Sequence, residues 1–401
     1  MVGAGQLARM TAQAAVGLGI EFRVLAAAAD ESAAQVSAGT QIGDYRSVDD
    51  LLAFGGRCDV VTFDHEHVPG PHLRALEQAG LAVRPGPDAL CYAQDKRAMR
   101  ARLAGLGVAC PRSDRAACLD DVTGFAAGSR WPVVLKAVSG GYDGRGVWVC
   151  GGPEQAAEVL ARRHGIDLMV EEHVAFEREL AVLVARSPNG QAAVYPVVQT
   201  VQQDGICREV LAPAPGLAPA SVAAAQRLGL ALAAGVGVTG MLAVELFETP
   251  GGGLLVNELA MRPHNCGHWT IEGARTSQFE QHLRAVLDMP LGATEPSAPL
   301  VVMANVLGGD GGDLYARLHH VLAADPALRV HLYGKPSRPG RKIGHVTALG
   351  TDVAELRERA MAAADYLRWG STGPAADANG RAGSAAGAAP SAGTSTGRGA
   401  T

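Results

Sequence analysis

Lys136 closes an apolar run and opens the stretch Lys136-Ala-Val-Ser-Gly-Gly-Tyr-Asp-Gly-Arg-Gly146, the part of this chain best suited to chemistry. Glycines leave backbone N–H groups free to wrap phosphate oxygens, and the lysine adds a positive charge for the same group. No Gly-Lys-Ser/Thr follows, so this is not a Walker A loop. A merely mobile hairpin would not need Tyr142, Asp143 and Arg145 set among its glycines. A second signal, Glu171-Glu172 with Glu179 seven residues on, ends an apolar run. There the backbone can meet an adenine edge while a carboxylate takes ribose hydroxyls, although acid runs are more often solvated faces. The third is Glu245 within Met-Leu-Ala-Val-Glu245 and Asn257-Glu258 within Leu-Leu-Val-Asn-Glu258. Acids on apolar strands need a reason, and two carboxylates beside an amide oxygen are hard ligands suited to Mg²⁺.

Two further clusters suit a small anionic substrate. Arg262-Pro-His264-Asn-Cys-Gly-His268 directly follows the acids. Its histidines have zinc-like spacing but no third ligand of fitting spacing, so hydrogen bonding to a substrate is preferred. Lys335-Pro-Ser-Arg338-Pro-Gly-Arg341-Lys342 carries four cations whose prolines and glycine fix the loop's shape, as a monoester phosphate site requires; the bland alternative is a solvated loop. Gly3-x-Gly5-x-x-Ala8 could face an anion at a helix N-terminus, but the acid expected to hold a dinucleotide ribose is missing after Leu25-Ala26-Ala27. A sharp strand-to-helix turn is the better reading. Only Met1-Val2 precedes it, which predicts an apolar strand segment upstream of Gly3.

The elements that would position these groups follow from the apolar pattern. Short buried runs at Phe22–Leu25, Val60–Phe63 and Leu81–Arg84, spaced by helices, predict a parallel doubly wound sheet over residues 1–90. A helix is expected over Asp95–Leu106. Strands are expected at Val133–Ala137, Val147–Cys150, Leu168–Glu172, Leu180–Arg186, Ala193–Thr200, Met241–Phe247 and Leu254–Glu258, with helices near 153–164 and 220–235. Residues 299–370 mix short strands and helices. Residues 371–401 lack Val, Ile, Leu, Phe, Tyr and Trp, so they predict a disordered tail whose deletion changes neither stability nor turnover.

Composition excludes several classes. The 401 residues carry a net charge of -5, so no basic field is available for nucleic acid. The seven scattered cysteines, without a C-x-x-C pair, predict reduced thiols and a cytoplasmic setting. No apolar run has the length of a membrane span, and no signal-peptide pattern is visible at the N-terminus.

In this order the motifs resemble the ATP-grasp superfamily, and within it the N5-carboxyaminoimidazole ribonucleotide synthases. The resemblance rests on Gly5-Gln-Leu-Ala-Arg-Met10, Gly140-Gly-Tyr-Asp-Gly-Arg-Gly146, Asn257-Glu-Leu-Ala260, Arg262-Pro-His-Asn265 and Arg338-Pro-Gly-Arg-Lys-Ile-Gly-His345. It implies a mixed α/β ATP-grasp fold: a Rossmann-like domain over 1–90, an ATP-grasp domain over 91–298 with a lid at about 110–174, and a small C-terminal domain over 299–370. It implies a ligase of purine biosynthesis that uses ATP, Mg²⁺ and bicarbonate to carboxylate aminoimidazole ribonucleotide through carboxyphosphate, working as a homodimer. ATP would be held by Lys96, Lys136, Gly141, Tyr142, Asp143, Gly144, Arg145, Gly146, Val147, Glu171, Glu172, His173, Val174, Glu179, Gln202, Asn257 and Glu258. Glu245 and Glu258 would hold the metal. Glu66, Tyr142, Asp143, Arg145, His264 and His268 would face the aminoimidazole, and Lys335, Arg341 and Lys342 its phosphate. Asp143, Tyr142, Arg145 and Lys136 would carry the chemistry, with Asp143 orienting the reacting amine or taking its proton. Two departures stand out: Asp64-His65-Glu66 replaces Glu-Phe-Glu, and Cys266 replaces Ser. The competing readings are a formate-using transformylase, a biotin carboxylase-like ligase and a noncatalytic nucleotide-binding module.

Overall fold

Met1-Val2, short as it is, takes the central place of the first sheet. In the computed structural model, which describes residues 1–141, 146–163, 165–309 and 311–371, Val2 bridges Leu25 and Phe63 in parallel. It sits between β1 (Arg23–Ala26), which pairs with β2 (Gly39–Ile42), and β3 (Val60–Val61), which pairs with β4 (Ala82–Val83). All these pairings are parallel, and helices Gln6–Gly17, Val48–Gly55 and Gly70–Gln78 connect them. The turn after Val2 needs glycine: Gly3 has φ +94°, and a Cβ there would lie 1.9 Å from Asp64 Oδ1. Gly5 N–H donates to Asp64 Oδ2 at 2.5 Å. The chain's own carboxylate therefore fills the anion position at this helix N-terminus, which gives Asp64 its place and explains why the turn is not a dinucleotide site.

Residues 113–172 form a small antiparallel sheet in the order β5 (Ser113–Arg115), β8 (Leu168–Glu172), β6 (Val133–Ala137), β7 (Val147–Cys150). Helices Leu119–Ser129 and Pro153–Arg162 pack on it around Val122, Ala126, Leu135, Ala156 and Val170. The lysine of the glycine-rich stretch thus leaves the end of β6, as the apolar pattern requires. Tyr142, Asp143, Gly144 and Arg145 lie outside the described residues, as does 372–401, nearly all of the expected tail.

A nine-stranded sheet runs through the rest of the chain. Its path is β14 (Leu254–Ala260), β13 (Gly240–Glu248), β9 (Arg178–Arg186), β11 (Val198–Gln203), β12 (Ile206–Ala212), β15 (Leu300–Leu307), β17 (Lys342–Gly350), β16 (Arg329–Leu332), with β10 (Ala192–Val194) on β9. The single strand expected over Ala193–Thr200 is two, β10 and β11, because Pro196 interrupts it and has no N–H for the ladder. The C-terminal elements are not all short: β15, β17 and helix Val353–Trp369 have 8, 9 and 17 residues. The strands extend the central sheet through antiparallel pairing of β12 with β15. Helix Val353–Trp369 packs Leu356, Ala360, Ala364 and Leu367 against Val302, Ala304 and Val346. Lys342, the first residue of β17, comes close enough for its charge to act on Glu245 of β13.

His282 joins the first sheet to the central one. Met241 N–H donates to its Nδ1 at 3.2 Å, so the ring proton sits on Nε2 and faces Thr62 Oγ1 at 2.8 Å. Burial, aided by the N-terminal ammonium, lowers its pKa to about 3. The unfolded chain then binds the extra proton between roughly pH 6.5 and 3, so stability falls as pH falls through that window, by at most about 1.4 kcal/mol per pH unit. Urea unfolding of His282→Gln is expected to show a shallower loss between pH 7 and 4.5 than wild type. An unchanged slope would show that His282 does not set the acid limb.

Candidate active site

The hairpin of β13 and β14 sets Glu245 directly opposite Glu258. Burial, then Glu258, then Glu179 push the Glu245 carboxyl up to about 8. Burial also raises Glu179, while a hydrogen bond to Gln202 and the charge of Lys136 oppose that rise. Glu245, with the charges of Glu258 and Glu179 both acting on it, marks a place for positive charge on largely apolar strands. Part of that charge comes from Lys96, whose Nζ lies 2.7 Å from Glu258 Oε1. Among the described residues no group of three or more His, Cys, Asp or Glu could hold a metal alone. The donor set still fits Mg²⁺, which commonly takes one or two carboxylates and completes its shell with phosphate oxygens and water.

A second array lies beside the first. Lys136 Nζ donates to Glu171 Oε1 at 2.6 Å and to Asn257 Oδ1 at 3.0 Å. Lys136 and Glu171 are 7% and 2% exposed, so their charges act with little screening. Glu172, next on the strand, turns outward and accepts from Arg112 N–H at 2.8 Å and from its guanidinium at 3.2 Å. His173 is exposed and Val174 half-buried where the chain leaves β8. Gly141 and Gly146 flank the glycine-rich stretch between β6 and β7, and Val147 is the first residue of β7. Lys136, Glu171 and Asn257 thus meet from three strands, β6, β8 and β14, while Lys96, Val147, Glu179 and Gln202 come from the helix Lys96–Gly105, β7, β9 and β11.

The remaining residues gather on the C-terminal side. Glu66 accepts from Met261 N–H at 3.1 Å and from Arg262 Nε at 2.8 Å, fixing the turn after β14. His264 Nε2 is 3.5 Å from Glu245 Oε1. Burial, then Arg262 and Lys342, hold its pKa well below the usual range, so the ring is neutral. Burial raises the Cys266 thiol, so Sγ stays protonated and donates to His264 Nδ1 at 3.1 Å. The thiol does here what a serine hydroxyl would do. His268 is only 1% exposed and packs against Phe279, Tyr333 and His345, so His264 is the histidine that faces the acids. Lys342 is buried and its charge reaches both Glu245 and His264. Lys335 bonds to Gln6 on the first helix, and Arg341 lies at the rim with one guanidinium N–H on Pro336 O at 3.5 Å. Sequence reasoning missed Arg100, which binds Glu171, and Cys266 as a partner of His264.

Three domain models match this arrangement in order: a ribonucleotide synthetase preATP-grasp domain over residues 1–94, an ATP-grasp domain over 101–279, and a phosphoribosylaminoimidazole carboxylase C-terminal domain over 301–359. The N5-carboxyaminoimidazole ribonucleotide synthase of Mycobacterium tuberculosis is 56% identical over 377 residues, covering 92% of this chain and 87% of its own. The chain belongs to the N5-carboxyaminoimidazole ribonucleotide synthase family. The family's enzyme from Corynebacterium ammoniagenes is 50% identical, with 92% and 91% of the two chains covered. Among solved structures, the synthetase of Thermus thermophilus superposes with a TM-score of 0.82 at 37% identity, covering 92% of this chain and 99% of that one. The Aspergillus clavatus synthase in complex with ADP and 5-aminoimidazole ribonucleotide superposes with a TM-score of 0.84 at 30% identity, covering 91% and 98%. The chain is an ATP-grasp ligase of the purine pathway.

Proposed function

We propose that the cleft between the lid and the central sheet carboxylates 5-aminoimidazole ribonucleotide with ATP and bicarbonate, giving N5-carboxyaminoimidazole ribonucleotide, ADP and phosphate. The observation that carries the residue assignment is the meeting of Lys136, Glu245, Asn257 and Glu258 with the buried Lys342 in one cleft. Bicarbonate is a poor electrophile. Its oxygen attacks the γ-phosphorus, ADP leaves, and the resulting carboxyphosphate delivers its carboxyl group to the exocyclic amine as phosphate departs. Every reactant is anionic, so the protein's task is charge neutralisation and positioning. Lys136 is placed for the nucleotide phosphates, with Gly141, Gly146 and Val147 supplying backbone around them and Lys96 near the acids. Glu171, Glu172, His173, Val174, Glu179 and Gln202 line the nucleotide side. Glu245 and Glu258 hold Mg²⁺, which when bound offsets the phosphate charge. Glu66 sets Arg262, and His264 presents a neutral ring toward the aminoimidazole, with His268 packed behind it. Lys335, Arg341 and Lys342 take the 5′-phosphate. Tyr142, Asp143, Gly144 and Arg145 are assigned on their sequence alone, with Asp143 orienting the amine or taking the proton it loses as the N–C bond forms. A closed lid keeps water from the mixed anhydride.

ADP release is expected to require Mg²⁺ and to rise strongly only when the ribonucleotide and bicarbonate are both present. Equal stimulation by formate, or none by the ribonucleotide, would transfer the chain to another branch of the ATP-grasp ligases. The working form is proposed to be a cytoplasmic homodimer, consistent with seven free thiols, and sedimentation of the purified chain tests the dimer.

A further inference from the structure

Helix Lys96–Gly105 carries Lys96, Arg97, Arg100 and Arg102. Arg97 and Arg102 reach exposed acceptors, Asp167 and Gly235 O. Arg100 does not: it is only 9% exposed and turns to the strands that carry Glu171 and Asn257. Its NH2 donates to Glu171 Oε2 at 2.9 Å and to Asn257 O at 2.8 Å, and its NH1 to Val256 O at 3.2 Å. The other oxygen of Glu171 accepts from Lys136, which also donates to the side chain of Asn257. One buried carboxylate is therefore shared by two buried cations, and one asparagine serves both, by its carbonyl and by its amide oxygen.

The charge count gives the arrangement a purpose. Within this hydrogen-bonded trio two cations and one anion leave a surplus of one positive charge, and in a place of low dielectric it acts strongly, reaching Glu179 beyond the trio. Without Arg100, Glu171 and Lys136 would form a neutral pair, and the freed Oε2 would compete for the ammonium. The same loss would release the backbone of Asn257, hence the position of its side chain. We infer that Arg100 is a positioning residue that holds half of Glu171, so that Lys136 keeps both its place and an unquenched charge for the nucleotide phosphates. The inference rests on the reading above that Lys136 faces those phosphates. Arg100 touches no reactant in it.

The test is a charge-compensation cycle read by ADP release with full-length protein. Lys136→Met is the control for the underlying reading, and it is expected to lower kcat/KM for ATP more than any Arg100 variant. Arg100→Met is expected to lower kcat/KM for ATP by about ten- to a hundredfold, the scale of one charge-assisted contact. It should leave KM for the ribonucleotide near wild type. Glu171→Gln in the Arg100→Met background restores the surplus charge and should recover most of the loss. A simple strand tie would not respond to that second change. Arg100→Lys keeps the charge and should stay closer to wild type than Arg100→Met. If the Met variant does not fold, Arg100→Gln takes its place in the same cycle. The inference is overturned if the double variant is no better than the single one, if Lys and the neutral variant lose equally, or if Arg100→Met keeps wild-type ATP kinetics while Lys136→Met does not. Wild-type ATP kinetics in Lys136→Met would remove the underlying reading instead.

Discussion

Glu258→Gln is expected to lower ribonucleotide-dependent ADP release by roughly 100- to 1000-fold, the cost of losing one preorganised electrostatic contact to the reacting phosphates, while the thermal midpoint stays near wild type. The two halves of that expectation have separate causes. The Glu258 side chain is 39% exposed, so little packing depends on it. Its carboxylate faces Glu245 across the hairpin and pairs with Lys96, so its charge is placed for a cation and not for the core. Removing it also relieves the repulsion that raises Glu245, which favours the fold slightly and disfavours the metal. Excess Mg²⁺ should therefore recover only part of the activity, because one of two carboxylate ligands is gone. A variant with near wild-type turnover at saturating Mg²⁺ would take Glu258 out of the site, and a large drop in midpoint would assign it to stability.

How much of this was legible in the sequence depended on whether the partners were near in sequence. Glu245 and Glu258 sit on strands joined by a short turn, so the hairpin register could be expected from pattern alone. The strands around Lys136 follow the apolar runs residue for residue at Val133–Ala137, Val147–Cys150 and Leu168–Glu172. Arg100 was hidden because three other cations share its helix, and a basic helix usually reads as a solvated face. Its partners lie 71 and 157 residues away. Asp64 was obscure for the same reason: its carboxylate meets the glycine turn from 59 residues away, and no local spacing signals that. The break at Pro196 was readable from proline's missing N–H, and the apolar run on both sides masked it. The two histidines of Arg262–His268 were spaced alike for a substrate role. Only packing separates them, with one ring against Glu245 and the other behind it against Tyr333 and His345.

The cations before β17 divide in the same way, and their substitutions should not behave alike. Arg341→Ala is expected to raise KM for the ribonucleotide by about ten- to a hundredfold, since a charge-assisted phosphate contact contributes roughly 1.5–3 kcal/mol. KM for ATP should barely move. Arg341→Lys should recover only part of the loss, because the planar fork matches phosphate oxygens in a way an ammonium does not. Lys342 is buried where Arg341 is at the rim, and its charge reaches Glu245 and His264. Lys342→Met should therefore cost at least as much in KM and should lower kcat as well, since the loss changes the charge felt at the acids. The dephosphorylated nucleoside supplies the control: wild type should prefer the phosphorylated substrate strongly, and Arg341→Ala much less. Binding energy gathered at a phosphate remote from the amine positions the reacting end, so its loss should also appear in turnover. If Arg341→Ala raises KM for ATP and spares the ribonucleotide, the loop belongs to the nucleotide side and the substrate phosphate must be held elsewhere.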